Sequence, residues 1–311
     1  NLQARARCAR YDALAAWGQD MACSCICLGH SQTDVAESFL MRLARGSGID
    51  GLSEMRRRWT DRGMEWLRPL LAFSRTNLQD LLRAQGQGWC NDPSNEDPAF
   101  MRVRMRQAAP DLDALGLTGL RLAKTATRMR YVQEALEFSV RELWPQVAKI
   151  DFTDVLFDRK ALCRLPREYV ERMLADALNW ISGQPYRPRN AALLRCIAAK
   201  KTMTLHGCVL IPQSGNVLRI SREFSAVEGL VTQADLPWDS RLSMVNSKKS
   251  YEIRALGPSG LGQCPTWRDT GRPRLALLSS PSVWHGPTLL AAPMAQFGQK
   301  DLLEVVSPPW E

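Results

Sequence analysis

The sequence predicts an α/β protein, with a parallel-sheet domain first, a helical region next and a small β-rich region last. Three observations carry this. Residues 22–28 form a short continuous apolar run between two helical stretches, the pattern of a strand buried in a parallel sheet. From Leu112 to about Ala199 the pattern is mostly helical. Beyond Lys200 short apolar runs alternate with Gly, Pro and Asn, the texture of hairpins.

The elements follow in order. Residues 4–17 read as a helix, with Ala4, Leu14 and Trp17 among polar positions. The strand at 22–28 carries Cys23, Cys25 and Cys27 on one face, where cysteine behaves as a small buried hydrophobe. His30 to Asp34 turn the chain, and a helix over 33–45 puts Val35, Phe39 and Leu43 on its core side. Gly46 ends it as a C-cap. A basic stretch, Arg56-Arg57-Arg58, precedes a strand over 64–67, which Arg68-Pro69 stops. Thr76 or Asn77 caps a helix that runs to about Ala84. Turn residues cluster over 91–98. A basic helix starts at 100–106, and Ala108-Ala109-Pro110 marks a boundary. In the helical region Pro145, Pro166 and the segment 183–188 are breaks. Runs 203–211 and 217–221 bracket Ser214-Gly215-Asn216 as a hairpin, and 275–278 and 288–291 read as strands. Three domains are expected, 1–110, 111–199 and 200–311.

Composition excludes several classes. Of the 311 residues, 45% are hydrophobic and 23% charged, which rules out disorder, collagen and a coiled-coil rod. No run reaches the ~18–20 apolar residues of a membrane helix. Lys and Arg exceed Asp and Glu by 41 to 32, a net charge of +9 that favours polyanionic partners. The nine cysteines form no Cys-x-x-Cys pair, so zinc spacing is absent and a reducing cytoplasm fits. The chain opens at Asn1, inside helical sequence and without a Met, which leads us to expect a preceding segment.

Candidate chemistry concentrates near the first strand. Gly46-Ser47-Gly48-Ile49-Asp50-Gly51 matches Gly-x-Gly-x-x-Gly but follows a helix, so it reads as a capped turn. His30, Asp34 and Glu37 lie at a strand C-terminus and on the next helix, where open α/β sheets place ligands. Asp34 and Glu37 are three apart and share a helical face, away from Val35 and Phe39. Two carboxylates and an imidazole suit holding a cation or deprotonating an amine; acids at a helix N-terminus are also favoured by its dipole alone. Arg7, Arg10, Arg45, Arg68, Arg102 and Arg106 are candidates for phosphate contacts. His206 and His285 read as structural.

These residues carry a resemblance. Ala6-Arg7-Cys8-Ala9-Arg10-Tyr11, the stretch 30–40, Arg45-Gly46-Ser47-Gly48-Ile49-Asp50-Gly51-Leu52, Arg68-Pro69-Leu70-Leu71, Trp89 with Asp92-Pro93-Ser94-Asn95, and Phe100-Met101-Arg102-Val103-Arg104-Met105-Arg106 occur in one order. Together they resemble the tRNA(Ile)-lysidine synthetase family. Tyr186-Arg187-Pro188-Arg189 and Thr204-Leu205-His206-Gly207-Cys208 extend the likeness. The resemblance implies the C-terminal part of an N-type ATP pyrophosphatase domain, a helical tRNA-binding domain and a C-terminal domain. It implies ATP-dependent adenylation of the wobble cytidine in a CAU-anticodon isoleucine tRNA, followed by attack of the ε-amine of free L-lysine. ATP, Mg2+, a cytoplasmic location and a homodimer come with it.

Carried over residue by residue, the resemblance makes Asp34, Glu37 and His30 catalytic, with Asp34 also a metal ligand. Arg7 and Arg45 would contact the nucleotide or anticodon, and Arg68, Arg102 and Arg106 the tRNA. Ser31 stands where the family pattern has a second His, Thr33 where it has Asp, Ser38 where it has Thr, and Val103 where many members have Asn. The family's Ser-Gly-Gly-x-Asp-Ser phosphate loop does not occur in these residues, so the 311-residue stretch alone is expected to be inactive. A non-catalytic tRNA-binding remnant and another pyrophosphatase that modifies tRNA are the alternative readings.

Overall fold

Residues 2–17 contain neither Gly nor Pro, and α1 (Leu2–Asp20) forms there. The computed structural model describes residues 2–90, 97–184, 186–233, 236–245, 250–299, 302–305, 308 and 310. The Asp92-Pro93-Ser94-Asn95 turn lies outside the described residues. The chain divides into two compact units, Asn1–Leu136 and Glu137–Glu311.

In the first unit a three-stranded sheet has the order β1 (Cys25–Cys27), β3 (Met64–Leu67), β2 (Arg58–Asp61). β1 and β3 are parallel, with Ile26 opposite Trp66, as the apolar run predicts. β2 is an addition, antiparallel to β3. Its turn places Arg62 and Gly63 at φ 54° and 70°, the two left-handed positions of a tight hairpin. Trp66 is fully buried with Tyr11, Ala15 and Met64 between the sheet and α1. β1 is shorter than the 22–28 run. It is an edge strand among the described residues, so Cys23 and Cys27 are exposed rather than buried.

α2 (Gln32–Leu43) buries Val35, Ala36 and Phe39 against Leu71 and against Leu122, Ala123 and Ala126 of α7 (Gly119–Val147). Leu43, expected on that face, is exposed, because the core stripe ends a turn earlier. Gly46 adopts φ 68° after the helix, and α3 (Ile49–Leu52) follows. α4 (Arg75–Ala84) is capped by Ser74, two residues before Thr76 and three before Asn77, the expected caps; Asn77 instead completes the reciprocal cap. α5 (Met101–Gln107) and α6 (Ala109–Ala114) complete the unit with the first part of α7.

In the second unit the mostly helical reading of 112–199 is corrected. β4 (Ala148–Asp151) and β5 (Asp154–Asp158) form a hairpin there. It joins β6 (Met203–Leu205), β7 (Cys208–Pro212) and β8 (Val217–Arg222) in an antiparallel sheet of order β4-β5-β8-β7-β6. The sheet therefore draws strands from both sides of the boundary expected at 199. After α8 (Arg159–Leu162), α9 (Arg167–Ser182) buries Met173, Leu174, Leu178 and Ile181 in the core that holds Phe157, Leu210 and Leu218. α10 (Asn190–Ala198) follows. Pro145 does not break α7, which continues through it to Val147.

The remaining strands are β9 (Val231–Gln233), β10 (Leu242–Met244), β11 (Glu252–Ala255), β12 (Pro281–His285), β13 (Thr288–Ala292), β14 (Phe297–Gly298) and β15 (Leu303–Val305). Five of them make a sheet of order β14-β13-β12-β11-β9, and β10 pairs with β15. Two short helices, α11 (Gly257–Gly262) and α12 (Arg274–Ser279), lie between β11 and β12. The 275–278 run is thus a helix and not a strand, started by Pro273 and buried at Ala276, Leu277 and Leu278.

Candidate functional site

The strand β1 delivers the chain to Ser31, whose extended backbone caps α2. Asp34 Oδ2 accepts the Ser31 N–H at 2.9 Å and its hydroxyl at 2.8 Å. This reciprocal cap fixes the Asp34 carboxylate at the helix N-terminus, where the dipole favours negative charge. Glu37 stands one turn on, with only 5% of its side chain exposed. Its Oε1 accepts from Arg106 Nε at 2.9 Å. Its Oε2 lies 3.3 Å from Arg102 Nε but has no hydrogen-bond partner. Arg102 Nη1 is 4.0 Å from Asp34 Oδ1. Arg102 and Arg106 are four apart, so α5 presents both to α2 while Val103 is buried beneath them.

These four side chains line a cavity of about 350 Å³, with Arg75 and Leu78 from α4. The volume falls in the range of small-molecule sites. The expected grouping of Asp34 with Glu37 is present. Arg102 and Arg106, for which tRNA contacts are expected, are ion-paired here, Arg102 with both acids and Arg106 with Glu37.

The positions that depart from the family pattern each have work here. Ser31 is the cap of α2. Thr33 Oγ1 accepts the Arg75 N–H at 3.1 Å and ties the start of α4 to α2. Ser38 Oγ lies 3.5 Å from Arg102 Nη2, within hydrogen-bond reach.

His30 does not line the cavity. Its Nδ1 accepts from Arg68 Nε at 3.1 Å, and burial together with the Arg68 charge pushes its pKa below the usual imidazole range. An imidazole whose Nδ1 accepts is neutral and carries its proton on Nε2. Arg68 is itself buried. It also donates to the Arg56 carbonyl at 2.7 Å and lies 4.1 Å over the Trp59 ring. Arg68, for which a tRNA contact is expected, is held here by these internal partners.

Arg7 donates to Tyr11 Oη at 3.0 Å. Arg7 and Arg45 both crowd Arg42, whose pKa is lowered chiefly by burial and then by these two charges. Arg42 holds the Gly51 carbonyl at 2.7 Å. The two arginines expected to meet the nucleotide or anticodon therefore share one electropositive region with Arg42, a residue the sequence reading passed over. Arg75 was missed too, because placing the α4 cap at Thr76 or Asn77 left it outside the helix.

Among the described residues no three of His, Cys, Asp and Glu stand together as a metal site. Asp34 and Glu37 are already matched to fixed arginines, and Asp34 Oδ2 is filled by two Ser31 donors. This donor set does not fit a resident magnesium, which takes oxygen ligands at near-octahedral geometry. The metal role expected of Asp34 draws no support from this arrangement. What the arrangement supplies is one buried, unfilled carboxylate oxygen beside a polar cavity, the environment for a small cationic group.

A PP-loop domain model matches residues 1–112. The tRNA(Ile)-lysidine synthase of Ruegeria pomeroyi is 40% identical over 299 residues, covering 95% of this chain and 71% of its own length. That of Wolbachia pipientis wMel is 30% identical over 254 residues, 78% of this chain and 59% of its own length. That of Anaplasma marginale is 29% identical over 260 residues, 78% of this chain and 54% of its own length. The chain thus spans little more than half the length of the last two. With the Ruegeria match running through nearly all of it, from the capped acids of α2 into the second unit, the chain belongs to the tRNA(Ile)-lysidine synthase family.

Proposed function

We propose that this chain serves an ATP-dependent ligase that joins free L-lysine to the wobble cytidine of a CAU-anticodon isoleucine tRNA. The family supports the reaction: ATP adenylates the cytidine 2-carbonyl, and the lysine ε-amine then displaces AMP. The observation that carries the reading is Glu37, a buried acid in the lining of the Asp34 cavity whose Oε2 has no hydrogen-bond partner. A lysine ammonium placed there gains a charge-assisted hydrogen bond that the fixed arginines leave unmade. The amine must lose a proton before it attacks, and a carboxylate at that position receives it. His30 is a neutral donor at the edge of the arginine group and does not serve as the base. Arg7 and Arg45, with Arg42, supply positive charge for a phosphate or the anticodon backbone. ATP use follows from the PP-loop match. Magnesium then belongs with the ATP phosphates rather than with Asp34. A homodimer and a cytoplasmic location belong to the same reading on the strength of the family alone. No helix among the described residues is long and apolar enough to cross a membrane.

The test is lysine-dependent AMP release on CAU-anticodon isoleucine tRNA by the natural gene product. Glu37→Gln keeps the shape and removes the charge. It should raise KM for lysine at least tenfold while KM for ATP stays within about twofold. Unchanged lysine kinetics would remove Glu37 from the reaction.

A further inference from the structure

Free lysine is a zwitterion, and two acids account for only one of its ends. The cavity beside Glu37 contains three arginines. Arg102 and Arg106 are paired to Glu37 and Asp34. Among the described residues Arg75 is the one cationic side chain lining the cavity that has no carboxylate partner. Its backbone is fixed: the Arg75 N–H donates to Thr33 Oγ1, and Ser74 caps the helix that Arg75 begins. α2 and α4 therefore both start at this cavity, and the positive ends of two helices of twelve and ten residues add to the arginine's field.

The lining of the cavity therefore holds both signs of charge. It includes Glu37, whose buried Oε2 has no hydrogen-bond partner. It also includes Arg75, which has no carboxylate partner among the described residues, and a guanidinium grips a carboxylate through two parallel hydrogen bonds. The geometry points to Arg75 as the residue that binds the α-carboxylate of the incoming lysine. This assignment rests on the reading of the cavity as the lysine site and goes beyond it by naming what selects the free amino acid. An amine that lacks the carboxylate, such as a polyamine or a lysine side chain within a protein, leaves Arg75 unmatched. Arg75 is thus a specificity residue, and the acids remain with the amine.

The experiment is equilibrium binding of radiolabelled ligands to this chain, wild type against Arg75→Met and Arg75→Lys. The ligands are L-lysine, lysinamide, in which the carboxylate is neutralised, and 6-aminohexanoate, which keeps carboxylate and ε-amine but lacks the α-amine. Wild type should bind lysine about tenfold tighter than lysinamide, a factor that corresponds to ~1.4 kcal/mol. Arg75→Met should weaken lysine and 6-aminohexanoate about tenfold, leave lysinamide unchanged and so abolish the preference. Arg75→Lys should restore part of it. Arg75 is exposed at the first turn of α4, so the variants should fold, which far-ultraviolet circular dichroism checks. A preference that survives Arg75→Met, or an equal loss for lysine and lysinamide, overturns the assignment. So does a loss confined to tRNA affinity, which would make Arg75 a phosphate contact. Failure of the wild type to bind lysine at all overturns the lysine site itself, a separate outcome.

Discussion

Asp151 and Asp154 face each other across the β4–β5 turn, and their surroundings push them in opposite directions. Asp154 is fully buried, and burial raises its pKa to about 6 despite Arg219 Nη1 at 2.6 Å and the Ser221 hydroxyl at 2.7 Å. Asp151 is also pushed up by burial, but hydrogen bonds from Arg272 and Arg219 pull its pKa below the usual carboxylate value. The consequences for stability have opposite signs. Asp151 binds its proton less readily when folded, so its contribution is present above its unfolded pKa and lost as pH falls through the folded one. Asp154 binds its proton more readily when folded, so stability falls as pH rises from about 4 to about 6. Asp154→Asn mimics the protonated form. We predict that the wild-type melting temperature, taken relative to that of Asp154→Asn, declines steadily between pH 4 and pH 6.5. A flat difference across that window would contradict the assignment. None of this was legible from the sequence, because Arg219 and Arg272 come from 65 to 121 residues away.

At the scale of elements, what was legible had a local cause. The start of α2 is written in Ser31-Gln32-Thr33-Asp34, a cap followed by its reciprocal acid, and the parallel strand at 25–27 is written in its apolar run. The elements that were missed look local but are decided by pairing. β4 alternates in period two and β5 is a short apolar run, yet they sit between long helical stretches. What makes them strands is the β8 edge some sixty residues later. The 275–278 run is too short for periodicity to separate strand from helix. That Asp34 and Glu37 share one helix face was readable from their spacing. The arginines that hold them were readable only as basic residues, since α5 finds α2 through tertiary packing. The cap is also where element and site meet. Ser31→Ala removes the hydroxyl donor to Asp34 Oδ2 and the acceptor for the Asp34 N–H at the helix start, and keeps the backbone donor. Since the backbone N–H remains, the loss should be about 1 kcal/mol of stability. We predict a lowered melting temperature and, because Asp34 loses part of its anchor, weaker lysine binding by about threefold to tenfold. Equal lysine affinity in both proteins would separate the cap from the site.

For the whole molecule the net charge of +9 is the property most plainly carried by composition, yet composition does not say where the charge acts. The structure divides the arginines by what they already hold. Arg68, Arg102, Arg106, Arg219 and Arg272 have internal partners. Arg45 is exposed, and Arg7 is exposed while bonded to Tyr11. The arginines free to meet a polyanion are therefore fewer than their count suggests, since arginines locked in buried pairs release no counterions. This has a measurable consequence. Each phosphate neutralised on duplex RNA should contribute roughly −0.9 to the slope of log affinity against log salt, so a complex made by about four free arginines gives a slope near −3.6. Arg45→Gln and Arg7→Gln should each make the slope shallower by about 0.9 and weaken all tRNAs alike. Arg106→Gln should leave the slope unchanged while disturbing lysine, because its charge is spent on Glu37. A slope that responds equally to all three substitutions would show that the ion pair at Glu37 opens when tRNA binds, and that the charge is not partitioned in this way.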